Sequence, residues 1–323
     1  MGSGKDAVLR VLCICSLIWA YFIGKDLHTE VRKRQLTNEA YPQYSDLWPA
    51  LGSFAGMLIA QLLFRPLFSA VARAIIPKKA RWSYVVWGAK VMRCCDSVFK
   101  CSYYAAMTTW SLSILRDATW APWVLGGRGS TEFCWTDGYP FQAVPPEMRR
   151  FYLTAIGFHL SEVVMLLFEV RHPDFWELLL HHIVSCTLVC FSYFLNYVRL
   201  GSLVLHLHGA TDVLIYLSKS VVDTPYVRLT AMSYFGLIAT YAWFRIFVFP
   251  VYIMRSAWVE SAQAGADAVG WGYLNFALCV LLLLHMYWFG LIIRIGLQFR
   301  RTGVARDLQS NLSSMDIADK KAS

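Results

Sequence analysis

Charged residues are scarce in this 323-residue chain. Asp, Glu, Lys and Arg make up 16% of it, whereas 57% is hydrophobic and 15% is aromatic. That composition excludes an ordinary water-soluble domain, which needs more polar side chains to cover its surface. The chain also lacks internal repeats and low-complexity blocks. We therefore interpret it as one membrane domain followed by a polar tail.

Few of the nine cysteines lie where a disulfide could form. Only Cys134 lies clearly in a predicted luminal loop, which covers residues 116–148, so no disulfide framework is expected. Histidines number eight, too few for the repeated HxxxH and HxxHH clusters that membrane di-iron enzymes require. No metal site is predicted.

Apolar stretches of about 20 residues, long enough to cross a bilayer, recur along the chain. Eight are predicted, at residues 7–24, 47–70, 97–115, 150–170, 176–196, 200–220, 228–253 and 271–294. The first is flanked by Lys5 and Arg10, and no small-x-small cleavage site follows it, so we interpret it as a signal anchor. The predicted fold class is all-α, a polytopic transmembrane helix bundle.

The distribution of Lys and Arg predicts the orientation. With both termini cytosolic, 18 of these residues lie on the cytosolic side and 11 on the other. Cytosolic flanks collect basic residues, so we expect this orientation, although Lys25 and the basic run at 32–34 oppose it. We interpret the net charge of +9 as membrane anchoring and expect no nucleic-acid partner.

The chain divides into three parts. Residues 1–81 hold the N-terminal spans and their connecting loop, residues 82–300 form the main membrane domain, and residues 301–323 form a cytosolic tail expected to be disordered. The tail ends Lys320-Lys321-Ala322-Ser323, which has the form of a C-terminal dilysine signal. We therefore expect the endoplasmic reticulum membrane.

Two neighbouring predicted spans each carry a polar stripe. The first stripe consists of His181, Ser185, Ser192 and Asn196, and the second consists of Gly201, His208, Asp212 and Lys219. Spacings of four and seven place each set on one helical face. Ionisable groups at membrane depth are costly and usually face a cavity or a partner. A short connection around Arg199 lets the stripes meet, so we predict a site at His181, His182, His208 and Asp212.

Other polar residues in the spans have two interpretations. Ser185, Ser192 and Asn196 suit hydrogen bonds between helices as well as a substrate site. His285 and Trp288 lie three residues apart on the last span, where they line a cavity or simply pack. Arg245 needs a carboxylate or carbonyl partner that the sequence does not identify.

Residues 181–219 read HHIVSCTLVCFSYFLNYVRLGSLVLHLHGATDVLIYLSK. This segment resembles the Lag1 motif of ceramide synthases in the TLC-domain family, which reads approximately HHxxTxxLxxxSYxxNxxRxGxxxxxxHDxxDxxLxxxK. The similarity extends through GYPFQ at 138–142 and RHPDFWELLLHH at 171–182, and on through FRIFVFPVY and LLHMYWFGLIIRI. It identifies residues 82–300 as a TLC domain.

The resemblance implies a TLC-type bundle of six helices around a lipid tunnel, with one or two N-terminal spans. It implies transfer of an acyl group from acyl-CoA to the amine of dihydrosphingosine or sphingosine, giving (dihydro)ceramide. The implied catalytic residues are His181, His182, His208 and Asp212. The expected substrate-binding residues are Ser185, Ser192, Asn196, Arg199, Lys219, Arg245, His285 and Trp288.

No cofactor is expected beyond acyl-CoA as a co-substrate, and the expected partners are membrane lipids and a second subunit in a homo- or heterodimer. In the family, acyl-chain length follows the luminal loop before the last span, here residues 255–270. Histidine suits this acyl transfer, because its imidazole can take a proton from the amine. It can alternatively attack the thioester and carry the acyl group.

Two positions depart from the motif. Ser185 replaces a threonine and keeps its hydroxyl, whereas Gly209 replaces an aspartate and removes one of two motif carboxylates. An alternative function is therefore a catalytically degenerate TLC protein that binds, transports or senses lipids.

Overall fold

A computed structural model describes residues 2–80, 82–136, 138–168, 174–265 and 270–302. Throughout these ranges the chain forms helices and turns, without a β-strand. The long helices are α1 (Gly2–Thr37), α2 (Leu47–Ile75), α3 (Tyr84–Leu115), α4 (Pro146–Phe168), α5 (Phe175–Phe194), α6 (Val198–Val221), α7 (Val227–Gln263) and α8 (Trp271–Thr302). The predicted all-α class is confirmed.

Seven of these eight helices are long and apolar enough to cross a membrane, and the exception is α3. The sequence analysis predicted a span at 97–115, inside α3. Lys100 and the recurrent Ser, Thr and Tyr residues of this stretch lower its mean hydropathy. Nevertheless α3 is 32 residues long and packs extensively against α6, so it belongs to the bundle.

The charged half of α3 is neutralised by ion pairs to neighbouring elements. Arg65 of α2 binds Asp96 through two hydrogen bonds of 2.6 and 3.1 Å. Lys90 lies 3.1 Å from Asp223 in the turn after α6, and Arg93 binds the same carboxylate. Burial alone would raise the pKa of Asp223, but the two cations outweigh it and hold the pKa below its usual value.

Consecutive long helices alternate in direction, which gives the bundle two ends. We call the end that carries residues 116–145 the loop face, and the other end the opposite face. The loop is folded onto the bundle: Nε1 of Trp135 donates to Oγ of Ser256 at 2.9 Å, and Gln142 donates to the Cys134 carbonyl at 2.8 Å. All nine cysteines are free thiols.

The seventh helix departs from regular α-helix. It is π-helical over Ala242–Met254 and Ser256–Glu260, and it stays helical to Gln263. Helix α7 therefore extends into the loop expected at 255–270, so this loop begins later than predicted. Trp271 holds the helix end, because its Nε1 donates to the Ala257 carbonyl and to Ser261. Of the tail expected at 301–323, all but its first two residues lie outside the described ranges.

Candidate active site

His181 lies on α5 about 9 Å from the helix end at Phe175, well inside the bundle. Its ring packs edge-on against Trp288 of α8, with 5.3 Å between ring centroids. Its Nε2 atom lies 3.5 Å from Oγ of Ser185. The Nδ1 atom is buried and has no hydrogen-bond partner among the described residues.

His182 faces another part of the bundle, because one residue turns an α-helix by about 100°. The two histidine rings have centroids 5.5 Å apart. The Nδ1 atom of His182 is also buried and unpartnered within the described part of the chain.

His208 and His285 are joined by a hydrogen bond of 3.0 Å between their Nε2 atoms. Nδ1 of His208 lies 2.8 Å from the carbonyl oxygen of Val204. A carbonyl only accepts, so Nδ1 of His208 carries the proton and its Nε2 accepts from His285. The Nδ1 atom of His285 is then a buried acceptor with no partner in the ranges that the structure describes.

Asp212 is paired with Arg245, which supplies the partner that the sequence left unidentified. Nη2 of Arg245 lies 2.6 Å from Oδ1 of Asp212 and 3.4 Å from the carbonyl oxygen of His208. The Arg245 side chain is 4% exposed and the Asp212 side chain is 15% exposed, so both lie largely inside the bundle. The carboxylate therefore neutralises an arginine beside the histidine cluster.

Arg245 comes from the π-helical part of α7. Its guanidinium lies 5.3 Å from the ring centroid of Tyr241, and the Tyr241 hydroxyl donates to the carbonyl oxygen of His285 at 3.2 Å. This segment ties α6, α7 and α8 together beside the histidines.

Several residues predicted for the site are thus brought together on four helices. They are His181, Ser185, His208, Asp212, Arg245, His285 and Trp288. Lys219 lies apart from them near the end of α6, with its Nζ atom 5.8 Å from the Tyr216 ring centroid. It belongs to the opposite face.

Three predicted residues lie instead near the loop face. Ser192 bonds to the Tyr152 hydroxyl at 2.5 Å. Asn196, in the left-handed region with φ of 60°, donates to the carbonyls of Pro140 and Gln142. Arg199 donates to the Phe133 carbonyl at 2.7 Å. The Asn196 and Arg199 contacts bind the 116–145 loop to the bundle.

Gly209 faces α3. A Cβ atom at this position would lie 2.7 Å from Oγ1 of Thr108, which is closer than real Cβ contacts allow. Thr108 Oγ1 is buried, without a hydrogen-bond partner in the described ranges. The position where the motif has a second aspartate is therefore a close helix contact in this chain.

A polar stripe on α3 was missed by the sequence analysis. It consists of Lys100, Tyr104, Thr108 and Ser111, spaced four, four and three residues apart. Tyr104 stacks on Tyr216 of α6 with centroids 5.5 Å apart, and Ser111 bonds to Nδ1 of His206 at 2.7 Å. The spacing rule applied to α5 and α6 would have found this stripe as well.

The described residues contain no group of three or more His, Cys, Asp or Glu side chains arranged to hold a metal ion. The hydrogen bond between His208 and His285 uses the Nε2 atom of each ring. The site as described is a cluster of imidazoles with one buried ion pair.

A multi-pass helical protein with a buried histidine cluster is the class that the fold and site define. Within that class, the family model described as TLC domain (TRAM_LAG1_CLN8) matches residues 93–294, and the chain belongs to this family.

Curated relatives agree with the family. Human ceramide synthase 4 is 31% identical over 71% of this chain, but the match covers only 56% of the human protein. Ceramide synthase hyl-2 of Caenorhabditis elegans is 24% identical over 87% of this chain and 88% of its own length. ASC1-like protein 1 of Oryza sativa subsp. japonica is 28% identical over 86% and 93%.

Proposed function

We propose that this protein is a ceramide synthase, which transfers an acyl group from acyl-CoA to the amine of a sphingoid base. One observation carries the proposal: His181 and His182 each offer a buried Nδ1 atom with no partner in the described chain. His181 packs on Trp288 of α8, the helix that carries His285, and so lies beside the His208–His285 bond and the Asp212–Arg245 pair. Relatives named ceramide synthase match most of the chain.

The reaction needs a base and a site for developing negative charge. The amine gives a proton to one imidazole, and its nitrogen bonds to the thioester carbonyl carbon. The C–S bond then breaks, and CoA leaves as a thiol after receiving that proton from the imidazolium. Either histidine can instead attack the thioester first and carry the acyl group before the amine takes it. The reacting imidazole and thioester are positioned by four side chains: Arg245, His285, Ser185 and Trp288.

The two substrates have apolar and polar ends, and this difference indicates where each end is placed in the protein. Both alkyl chains occupy an apolar tunnel between the helices, while the CoA phosphates stay at the opposite face. Lys219, Lys78 and Lys79 are the cations proposed to meet them there. The protein is proposed to reside in the endoplasmic reticulum membrane with this face, and the C-terminus, in the cytosol.

Purified protein incubated with dihydrosphingosine and acyl-CoA donors from C14 to C26 tests the activity, with ceramide measured by mass spectrometry. His181→Ala and His182→Ala are expected to lower the rate by at least 100-fold, because each removes an imidazole from the reacting centre. His206→Gln is the matched control. His206 is a buried histidine on α6, but it bonds to Ser111, so this variant should keep most activity.

The catalytically degenerate lipid-binding protein is the second candidate, and Gly209 favours it. Expression in cells that lack their own ceramide synthases distinguishes the two functions. New ceramides in those cells support the synthase. If no ceramide forms across all chain lengths while the purified protein binds dihydrosphingosine, the second function is correct.

A further inference from the structure

A second polar cluster joins α2, α3 and α4, apart from the groups around His181. Nζ of Lys100 on α3 is ion-paired with Oε2 of Glu162 on α4. Nε2 of Gln61 on α2 donates to Oε1 of the same carboxylate at 3.1 Å, and it lies 3.4 Å from Oγ of Ser161. Three helices thus converge on one carboxylate, which we call the Glu162 cluster: Gln61, Lys100, Ser161 and Glu162.

The cluster is buried deep in the bundle. The side chains of Glu162 and Lys100 are 5% and 18% exposed, and Gln61 is 5% exposed. Ionised groups at this depth are costly and usually mark a functional site. An apolar pair of similar volume would join the helices at least as stably. Helix packing alone therefore gives a poor account of this pair.

Its position connects it to the proposed reaction. The Nζ atom of Lys100 is 5.7 Å from the Tyr216 ring centroid. Tyr216 is one turn from Asp212 on α6. The cluster therefore adjoins the part of α6 that carries Asp212, and it shares no residue with the groups around His181.

The donor and acceptor set of the cluster matches one of the two proposed substrates. A sphingoid base ends in an ammonium group between two hydroxyls, so it needs a carboxylate acceptor and also donors for its hydroxyl oxygens. Glu162 supplies the acceptor, and Lys100 and Gln61 supply the donors. A carboxylate would repel the phosphates of CoA, and the thioester carries no charge.

We infer that the Glu162 cluster binds the amino-diol head group of the sphingoid base and holds its amine at the edge of the histidine site. This inference rests on the proposed function. Glu162 accepts from the ammonium and one hydroxyl, while Lys100 donates to the other hydroxyl. The cluster then determines which amine is acylated and has no part in binding acyl-CoA.

Direct binding of tritiated dihydrosphingosine to the purified protein in nanodiscs tests the inference without needing catalysis. Glu162→Gln is expected to weaken binding at least tenfold, and in the acylation assay to raise KM for the base while leaving KM for acyl-CoA within twofold. Asp96→Asn is the matched control, because Asp96 also pairs with a cation between α2 and α3 but lies nearer the opposite face. It should bind the base as wild type does.

The double variant Lys100→Met with Glu162→Met removes both charges and guards against misfolding of the single variant, because it leaves no buried charge unpaired. If it unfolds at the wild-type temperature and binds the base as tightly as wild type, the inference is wrong. Wild-type protein that fails to bind the base also overturns it. If wild type makes no ceramide but binds the base through Glu162, the head-group site stands and the proposed function fails.

Discussion

Gly209 determines how closely α6 approaches α3. The nearest atom to a Cβ at this position is Oγ1 of Thr108 at 2.7 Å, and the next is Thr108 Cβ at 4.0 Å. One hydroxyl therefore accounts for the whole clash. An aspartate at 209 would start its side chain in the space that this hydroxyl fills.

Gly209→Asp is consequently expected to destabilise the protein by at least about 1–3 kcal/mol, the usual cost of overpacking, with the desolvation of a buried carboxylate added to it, and without raising ceramide synthesis. Adding Thr108→Ala should recover the overpacking part of this loss, because the remaining contact at 4.0 Å is an ordinary one. Thermal unfolding in detergent and the acylation rate measure the two effects.

Gly209→Ala separates crowding from charge, because it adds the Cβ atom alone. Its loss of stability should also be relieved by Thr108→Ala. If Gly209→Asp unfolds at the wild-type temperature and increases the rate, the missing carboxylate limits catalysis and the packing explanation is wrong.

At the same scale, sequence spacing predicted that His181, His208 and Asp212 face one another, and the structure places them in one cluster with His285 and Trp288. The spacing did not predict the partner of Arg245. That pairing depends on the rotation of the π-helical part of α7 against α6, and residue types alone do not encode it.

Among the elements, α3 shows why hydropathy misjudges a helix that is buried in protein. Its charges at Lys90, Arg93, Asp96 and Lys100 lower the hydropathy, yet every one of them is paired with an opposite charge on another element. Sequence averages count each charge as if it faced lipid. The pairing becomes visible only when the partner elements are assembled.

The pairing of Asp223 fastens α3 to the turn after α6. Asp223→Asn should lower stability by about 3 kcal/mol at pH 7, because Lys90 and Arg93 lose their common partner. The cations hold the pKa of Asp223 below 3.8, its ordinary value, so the carboxylate contributes fully above that pH. As the pH falls through the lowered pKa the contribution is lost.

Unfolding of wild type and Asp223→Asn should therefore differ by a constant amount from pH 7 to about pH 4 and converge below it. Asp117→Asn serves as the comparison, because Asp117 also meets two arginines but is 61% exposed, and it should change little at any pH. A difference between wild type and Asp223→Asn that widened on acidification would contradict this account.

For the whole molecule, the number of helices that cross the membrane determines on which side of the membrane each terminus lies. Seven helices qualify as spans by composition, and α3 runs alongside α6 as an eighth long helix. If α3 crosses, both termini lie on one side and the 116–145 loop lies on the other. If α3 does not cross, the loop and the N-terminus share a side.

Glycosylation distinguishes these topologies, because Asn-x-Ser sequences are modified only in the lumen. Arg128→Asn creates such a sequence with Gly129 and Ser130, at a side chain that is 74% exposed. The tail already contains one, Asn311-Leu312-Ser313. In microsomes, wild type is expected to gain no glycan and Arg128→Asn to gain one that endoglycosidase removes. A glycan on wild type would place the tail in the lumen, and an unmodified Arg128→Asn would count against α3 as a crossing helix.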